Sequence, residues 1–196
     1  KTGIQIVTTG TLLTDDAIEK LALVPTLTGC NVSINAFFEE TWTRIHKLPP
    51  KAMLMAVNAV HKLRDRRPDV NVNVSMVHSP ELQTEMEKDL FKEYWSQFGS
   101  TTVSIASYAG NPKYKPEPPV TLPCRSLVDG LIVLDSGSVG TGCCFWNGDV
   151  PELALGHFPE EGLLNLWRGN RLRELLALHN SGRRTEIPLC STCSFA

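Results

Sequence analysis

The sequence predicts an α/β chain in two parts, and three observations carry that expectation. Residues 4–106 alternate short β-branched runs with amphipathic stretches, the pattern of strands joined by helical crossovers into a parallel sheet. Residues 110–123 hold five prolines and read as a semi-rigid, extended linker. Beyond them the elements become short, and five of the six cysteines appear. The expected division is residues 1–118, strands of a partial (β/α) barrel or an open sheet, and residues 119–196, a small α+β domain.

Ile4-Gln5-Ile6-Val7 reads as the first strand. The first residue is not Met and a strand begins almost at once, so a fragment lacking its natural N-terminus is expected. Thr14 is a good N-cap, with Asp15 and Asp16 in the first turn where the helix dipole favours acids. Ile18, Leu21 and Ala22 give that helix its apolar face. Residues 30–35 read as the second strand. Helical stretches follow over 38–47 and 51–67, the latter with the stripe Met53, Val57, Val60 and Leu63. Residues 70–77 alternate apolar and polar, as a half-buried or barrel strand does. Ser79-Pro80 predicts a helix start, since proline suits a first turn, with Ser79 as its cap. Leu90, Phe91, Tyr94, Trp95 and Phe98 supply its apolar face, read as core packing. Residues 102–106 make the fourth strand.

In the second part, residues 131–134 and Val139 flank Asp135-Ser136-Gly137-Ser138, a hairpin with a glycine-containing turn. Residues 153–156 read as a short strand and turn. Residues 162–179 read as one helix, with Leu163, Leu166, Trp167, Leu172, Leu175, Leu176 and Leu178 toward a core, and Gly182 is placed as a helix stop.

Composition excludes several classes. Hydrophobic residues at 42% and charged residues at 20% are those of an ordinary globular chain. The net charge is −2, and basic residues are interspersed with acids, which argues against a nucleic-acid groove. No apolar run reaches the roughly 18 residues of a membrane helix. No signal-peptide pattern is read at the start, which disfavours a disulfide framework and points to a reducing cytoplasm.

The chemistry lies in the cysteines. Pro188-Leu189-Cys190-Ser191-Thr192-Cys193 contains a C-x2-C, which puts two sulfurs on one tight turn. Cys124 and the Cys143-Cys144 pair can supply the rest of a tetrahedral or cuboidal sulfur site. Sulfur ligation alone leaves iron–sulfur and zinc both open. Cys30, set among Val and Ile, reads as a packing residue. His61, His157 and His179 read as surface or packing residues.

These motifs, in order, resemble a known domain. Cys124, the hairpin around Ser136-Gly137, Cys143-Cys144, Leu155-Gly156, Leu164-Asn165-Leu166-Trp167 and the terminal C-x2-C are together similar to a SPASM domain, the C-terminal iron–sulfur extension of many radical SAM enzymes. Thr8-Thr9-Gly10-Thr11-Leu12-Leu13-Thr14 is similar to the radical SAM segment after the third barrel strand. Val32-Ser33-Ile34-Asn35 with Glu40-Thr41-Trp42 is similar to the segment at the fourth. The resemblance implies a C-terminal part of a partial radical SAM barrel followed by a small SPASM domain.

It further implies one auxiliary 4Fe–4S cluster on Cys124, Cys143, Cys190 and Cys193, with Cys144 competing with Cys143 because the preceding gap is one residue longer than usual. In the intact protein it implies S-adenosyl-L-methionine (SAM) near Thr9, Ser33 and Arg44, with His46 an alternative register for the basic residue, and a second 4Fe–4S cluster. The expected activity is SAM-derived radical modification of a peptide, protein or small metabolite, with an external electron donor such as flavodoxin or ferredoxin. Two departures stand out. The sequence contains no C-x3-C-x2-C, so the chain as given is expected to be inactive alone. Thr9 and Asn35-Ala36 stand where the family has Asn and Asp-Gly. The alternative is a non-catalytic metal-binding module, zinc or iron–sulfur, for electron transfer or interaction.

Overall fold

The computed structural model describes residues 3–105, 121–142, 144–145 and 150–193, the side chains of Ile105 and Thr192 excepted. The chain divides into two compact units, Lys1–Ala106 and Ser107–Ala196. The boundary expected at 118/119 falls among residues outside the described set, as does most of the proline-rich segment.

In the N-terminal unit β1 (Ile4–Thr8), β2 (Leu27–Ser33), β3 (Asn71–His78) and β4 (Thr101–Ile105) form one parallel sheet in the order β1-β2-β3-β4. The crossovers are α1 (Asp15–Ala22), then α2 (Glu39–His46) and α3 (Pro50–Arg66), then α4 (Glu85–Ser96). Sequential order, with crossovers of one hand, keeps every helix on one face of the sheet. Period-two alternation decides which residues meet them. Cys30, Val32, Val72, Val74 and Met76 point to the helices and pack with Ile18, Trp42, Val60, Leu63, Phe91 and Trp95. Full burial of side chains this size is worth about 1.5–3 kcal/mol each, so this cluster sets the unit's stability. Cys30, 2% exposed within this cluster, is the packing residue expected, and burial pushes its thiol up.

The other sheet face is mostly polar, with Val7 and Val77 exposed at the strand ends. Asn31 pairs with Asn73 and Ser33 with Ser75 across β2 and β3, and Ser75 with Thr102 across β3 and β4. Asn31 Nδ2 donates to Ser75 Oγ at 2.9 Å, Asn73 Nδ2 donates to Asn31 Oδ1, and Ser100 Oγ donates to Asn73 Oδ1 at 2.8 Å. Such a network of short polar side chains has no apolar surface to bury.

Local chemistry explains the helix boundaries. The Thr14 hydroxyl accepts from the Ala17 N–H at 3.3 Å, as its cap role requires. At α2 the N-cap is Phe38, which has no capping side chain. Glu87 of α4, 2% exposed, anchors the entry to α2 instead: Oε1 accepts from the N–H groups of Phe37 and Phe38 at 2.9 and 3.0 Å, and Oε2 from the Thr41 hydroxyl at 3.0 Å. A remote carboxylate thus holds the N-cap amide and the one before it, at the helix end where the dipole favours negative charge.

Two expectations are corrected. Ser79-Pro80 does not begin the fourth helix. The Ser79 N–H instead donates to Gln83 Oε1 at 2.6 Å, and Thr84 caps α4 by accepting from the Glu87 N–H at 3.1 Å. The Thr cap with acids in its first turn outcompetes the proline signal. The expected single helix over 162–179 is two, α6 (Leu163–Trp167) and α7 (Asn170–Asn180). Gly169 breaks it, and Leu163 is left exposed.

Among the described residues of the C-terminal unit the first element is the short helix α5 (Ser126–Asp129). The unit's antiparallel sheet has the order β5 (Leu131–Val133), β6 (Ser138–Thr141), β7 (Ala154–His157). Single 3-10 turns stand at Pro151–Leu153, Arg184–Glu186 and Pro188–Thr192. Gly137 (φ 87°) turns the expected hairpin. Gly140 makes room for a ring, since a Cβ there would lie 2.3 Å from a carbon of the buried Phe145.

Candidate metal centre

Three segments of the C-terminal unit carry the expected ligands. Cys124 precedes α5 and is half-buried. Cys144 follows β6 and is half-buried. Cys190 and Cys193 lie in and just after the last 3-10 turn, 8% and 4% exposed. Pro188 at the first position of that turn and the bond from the Cys193 N–H to the Cys190 carbonyl, 3.3 Å, fix it as an i to i+3 turn. Cys190 lies within the turn and Cys193 is its extended C-cap, so one short turn carries both cysteines of the C-x2-C.

Packing joins the segments. Cys190 belongs to the unit's apolar cluster with Leu127, Phe145, Leu153, Leu175 and Ile187, and both Cys124 and Cys144 pack against it. Thr141 helps to hold them in place. It is fully buried at the end of β6, and its one hydroxyl proton serves the Leu127 carbonyl at 3.0 Å, with the Gly130 carbonyl at 3.3 Å. That ties the segment leading to Cys144 to the helix that follows Cys124.

Among the described residues no three His, Cys, Asp or Glu side chains stand close enough to hold a metal ion. Cys143, the expected fourth ligand, lies outside the described residues. The donor chemistry nonetheless fits a sulfur-ligated centre: thiols from three segments share one apolar surround, and such sites close as the metal binds.

Two buried polar residues support this region. His179, expected as a surface or packing residue, is 1% exposed and packs, and its Nδ1 accepts the Cys124 N–H at 3.1 Å, a contact the sequence did not indicate. Burial, with the charge of Arg184 second, pulls its imidazole down. Arg184 is fully buried and its Nη1 donates to the Leu122 carbonyl at 2.7 Å. A signal for His179 was present: it continues the buried stripe Leu172–Leu175 of α7 at helical spacing. Arg184 had none.

In the N-terminal unit the residues expected near SAM lie along the C-terminal edge of the sheet. Thr9 follows β1, exposed, with its hydroxyl 3.0 Å from that of Thr11. Ser33 ends β2, its hydroxyl 3.2 Å from that of Ser75. Arg44 is exposed on α2 and donates to the Leu82 carbonyl in the loop after β3. His46 is stacked on Trp42 and bonded to the Ile34 carbonyl at 3.1 Å. Asn35 adopts a left-handed backbone (φ 61°), which suits Asn better than most residues. Its Oδ1 accepts the Val77 N–H at 2.9 Å, and Gln83 Nε2 bridges the Asn35 and Val77 carbonyls at 2.8 and 3.1 Å. These ties fix the exits of β2 and β3 relative to each other.

Comparison with known families decides the character of the cysteine segments. Residues 124–194 match the family SPASM, an iron–sulfur cluster-binding domain. No curated protein and no solved structure matches the chain. The SPASM match spans Cys124, Cys144, Cys190 and Cys193 together with His179 and Arg184, and it leaves the N-terminal unit outside. Among the described residues no helix is long and apolar enough to cross a membrane.

Proposed function

We propose that this chain is part of a radical SAM/SPASM protein whose C-terminal domain holds one auxiliary 4Fe–4S cluster. The observation that carries the proposal is the packing of Cys124, Cys144 and Cys190 on one apolar cluster within the SPASM match. Cys124, Cys190 and Cys193 are the ligands, with either Cys143 or Cys144 completing the set. When bound, such a cluster supplies one-electron redox chemistry. The chain's own contribution is to present the C-x2-C sulfurs from one rigid turn and to exclude water with Leu127, Phe145, Leu153 and Leu175. Burial of this kind tunes the potential of a sulfur-ligated centre.

In this reading the N-terminal unit is a sector of a radical SAM barrel. The singly wound parallel sheet supports it, with helices on one face and the Asn31–Asn73 network on the other, because parallel-barrel enzymes place ligands at the C-terminal ends of strands. Thr9, Ser33 and Arg44 then lie on the SAM side. The substrate is a peptide, protein or small metabolite, electrons come from a carrier such as flavodoxin or ferredoxin, and the reducing cytoplasm suits thiolate ligands. A second reading is a non-catalytic metal module, zinc or iron–sulfur, for electron transfer or interaction, since an all-sulfur donor set suits either centre.

Anaerobic purification of the full chain tests the cluster. The expected result is broad visible absorbance that bleaches with dithionite and is lost in the Cys190→Ser, Cys193→Ser double variant. A colourless chain carrying zinc on the same cysteines would leave only the second reading.

A further inference from the structure

Segment 122–124, which delivers the first expected ligand, is held from one side by two buried polar residues. The Cys124 N–H is satisfied by His179 Nδ1 at 3.1 Å, and the Leu122 carbonyl by Arg184 Nη1 at 2.7 Å. His179 is on α7 and Arg184 is in the turn after it, with Gly182 (φ 73°) reversing the chain between them. One short stretch of sequence therefore grips both a donor and an acceptor of the backbone entering the ligand loop.

Both grips are specific. An Nδ1 that accepts must be unprotonated, so the ring is held as the neutral Nε2–H tautomer. The guanidinium is a permanent charge with no exposure to solvent. A backbone N–H that loses its partner without gaining water is destabilising, so losing the histidine acceptor would release the segment. Water would screen the Arg184 charge only weakly at such a site.

We propose that His179 and Arg184 are positioning residues for the cluster: His179 fixes the Cys124 loop for ligation, and Arg184 adds a buried positive charge that favours the more negative, reduced state of the bound centre. This rests on the iron–sulfur reading above. It assigns to α7 and the turn after it a role that the cysteine pattern does not contain.

The test uses the full chain, loaded anaerobically with iron and sulfide, in four variants. His179→Asn keeps an acceptor near the Nδ1 position and His179→Leu removes it. Arg184→Lys keeps the charge and Arg184→Met removes it. Metal retention against a chelator and the reduction midpoint are measured for each. The Leu variant is expected to retain metal about 10- to 100-fold less well than wild type, the range for lost outer partners of a metal site, and the Asn variant to recover most of that loss. The Met variant is expected to shift the midpoint to more negative potential, with Lys close to wild type. A purely packing role for the ring would make Asn and Leu equally poor. That result, or a midpoint identical in Lys and Met, overturns the proposal. If the Leu variant is insoluble, the Lys and Met pair still decides. A wild-type chain that takes neither iron and sulfide nor zinc overturns the iron–sulfur reading and this one together. A loaded wild type with unchanged variants overturns this one alone.

Discussion

In the N-terminal unit four parallel strands pair in sequence order, and one apolar cluster runs from Ile18 to Trp95. In the C-terminal unit three strands of three or four residues pair antiparallel, and the cluster beneath them includes Cys190 and abuts Cys124 and Cys144. The first unit gets its order from a long hydrogen-bonded ladder and a core of branched and aromatic side chains. The second has short ladders and spends part of its core on sulfur. In the proposed function the same cysteines that pack this core would hold the cluster, and the free energy of binding it would add to the stability of the fold. The N-terminal unit places its Asn and Ser network on the opposite sheet face, and two of the polar side chains it does bury, Glu87 and Gln83, bond to the loops and the helix start beside them.

The largest expected effect breaks the comparison at its weaker side. Changing Cys190 and Cys193 together to Ser removes the two proposed ligands of the C-x2-C and two buried side chains. The C-terminal unit is expected to become open to limited proteolysis while fragments of the N-terminal unit persist. Equal resistance in variant and wild type would show that the core does not depend on these sulfurs.

Next is the buried carboxylate of the N-terminal unit. Glu87→Ala strands two N–H donors and a hydroxyl, and is expected to lower stability by about 3 kcal/mol, read from urea unfolding, with iron content unchanged. A loss of metal in this variant would mean that the two units are not independent.

A smaller effect is expected from Gly140→Ala, whose Cβ would lie 2.3 Å from the Phe145 ring. Overpacking of this kind costs about 1–3 kcal/mol, confined to the C-terminal unit and visible as faster amide hydrogen exchange there. Unaltered exchange would mean that Phe145 moves aside freely.

The smallest is Cys30→Ala, expected to cost about 1 kcal/mol and to leave bound iron and sulfide at the wild-type level. A drop in either would place Cys30 among the ligands, contrary to its position in the core.

The sequence made the regular half of the molecule legible. The alternation at residues 70–77 and the Thr14 cap are local signals, and both appear as read. Helix starts with competing signals were less legible, because Ser79-Pro80 and Thr84 both qualify as caps and only the packing of Glu87 and Gln83 selects between them. The break at Gly169 was hidden by leucines on either side that continue a helical pattern. In the C-terminal unit the cysteine spacing and motif order were enough to match the SPASM family. Long-range polar contacts were not legible. The pairing of Cys124 with His179 and of Leu122 with Arg184 spans more than fifty residues, and no local pattern encodes such a contact.

The most direct test is elemental: iron, acid-labile sulfide and zinc measured on the full chain purified without oxygen. One auxiliary cluster predicts about four irons and four sulfides per chain, with zinc well below stoichiometric. One zinc per chain without sulfide, or no metal at all, would contradict the assignment of Cys124, Cys190, Cys193 and the Cys143-Cys144 pair to an iron–sulfur centre.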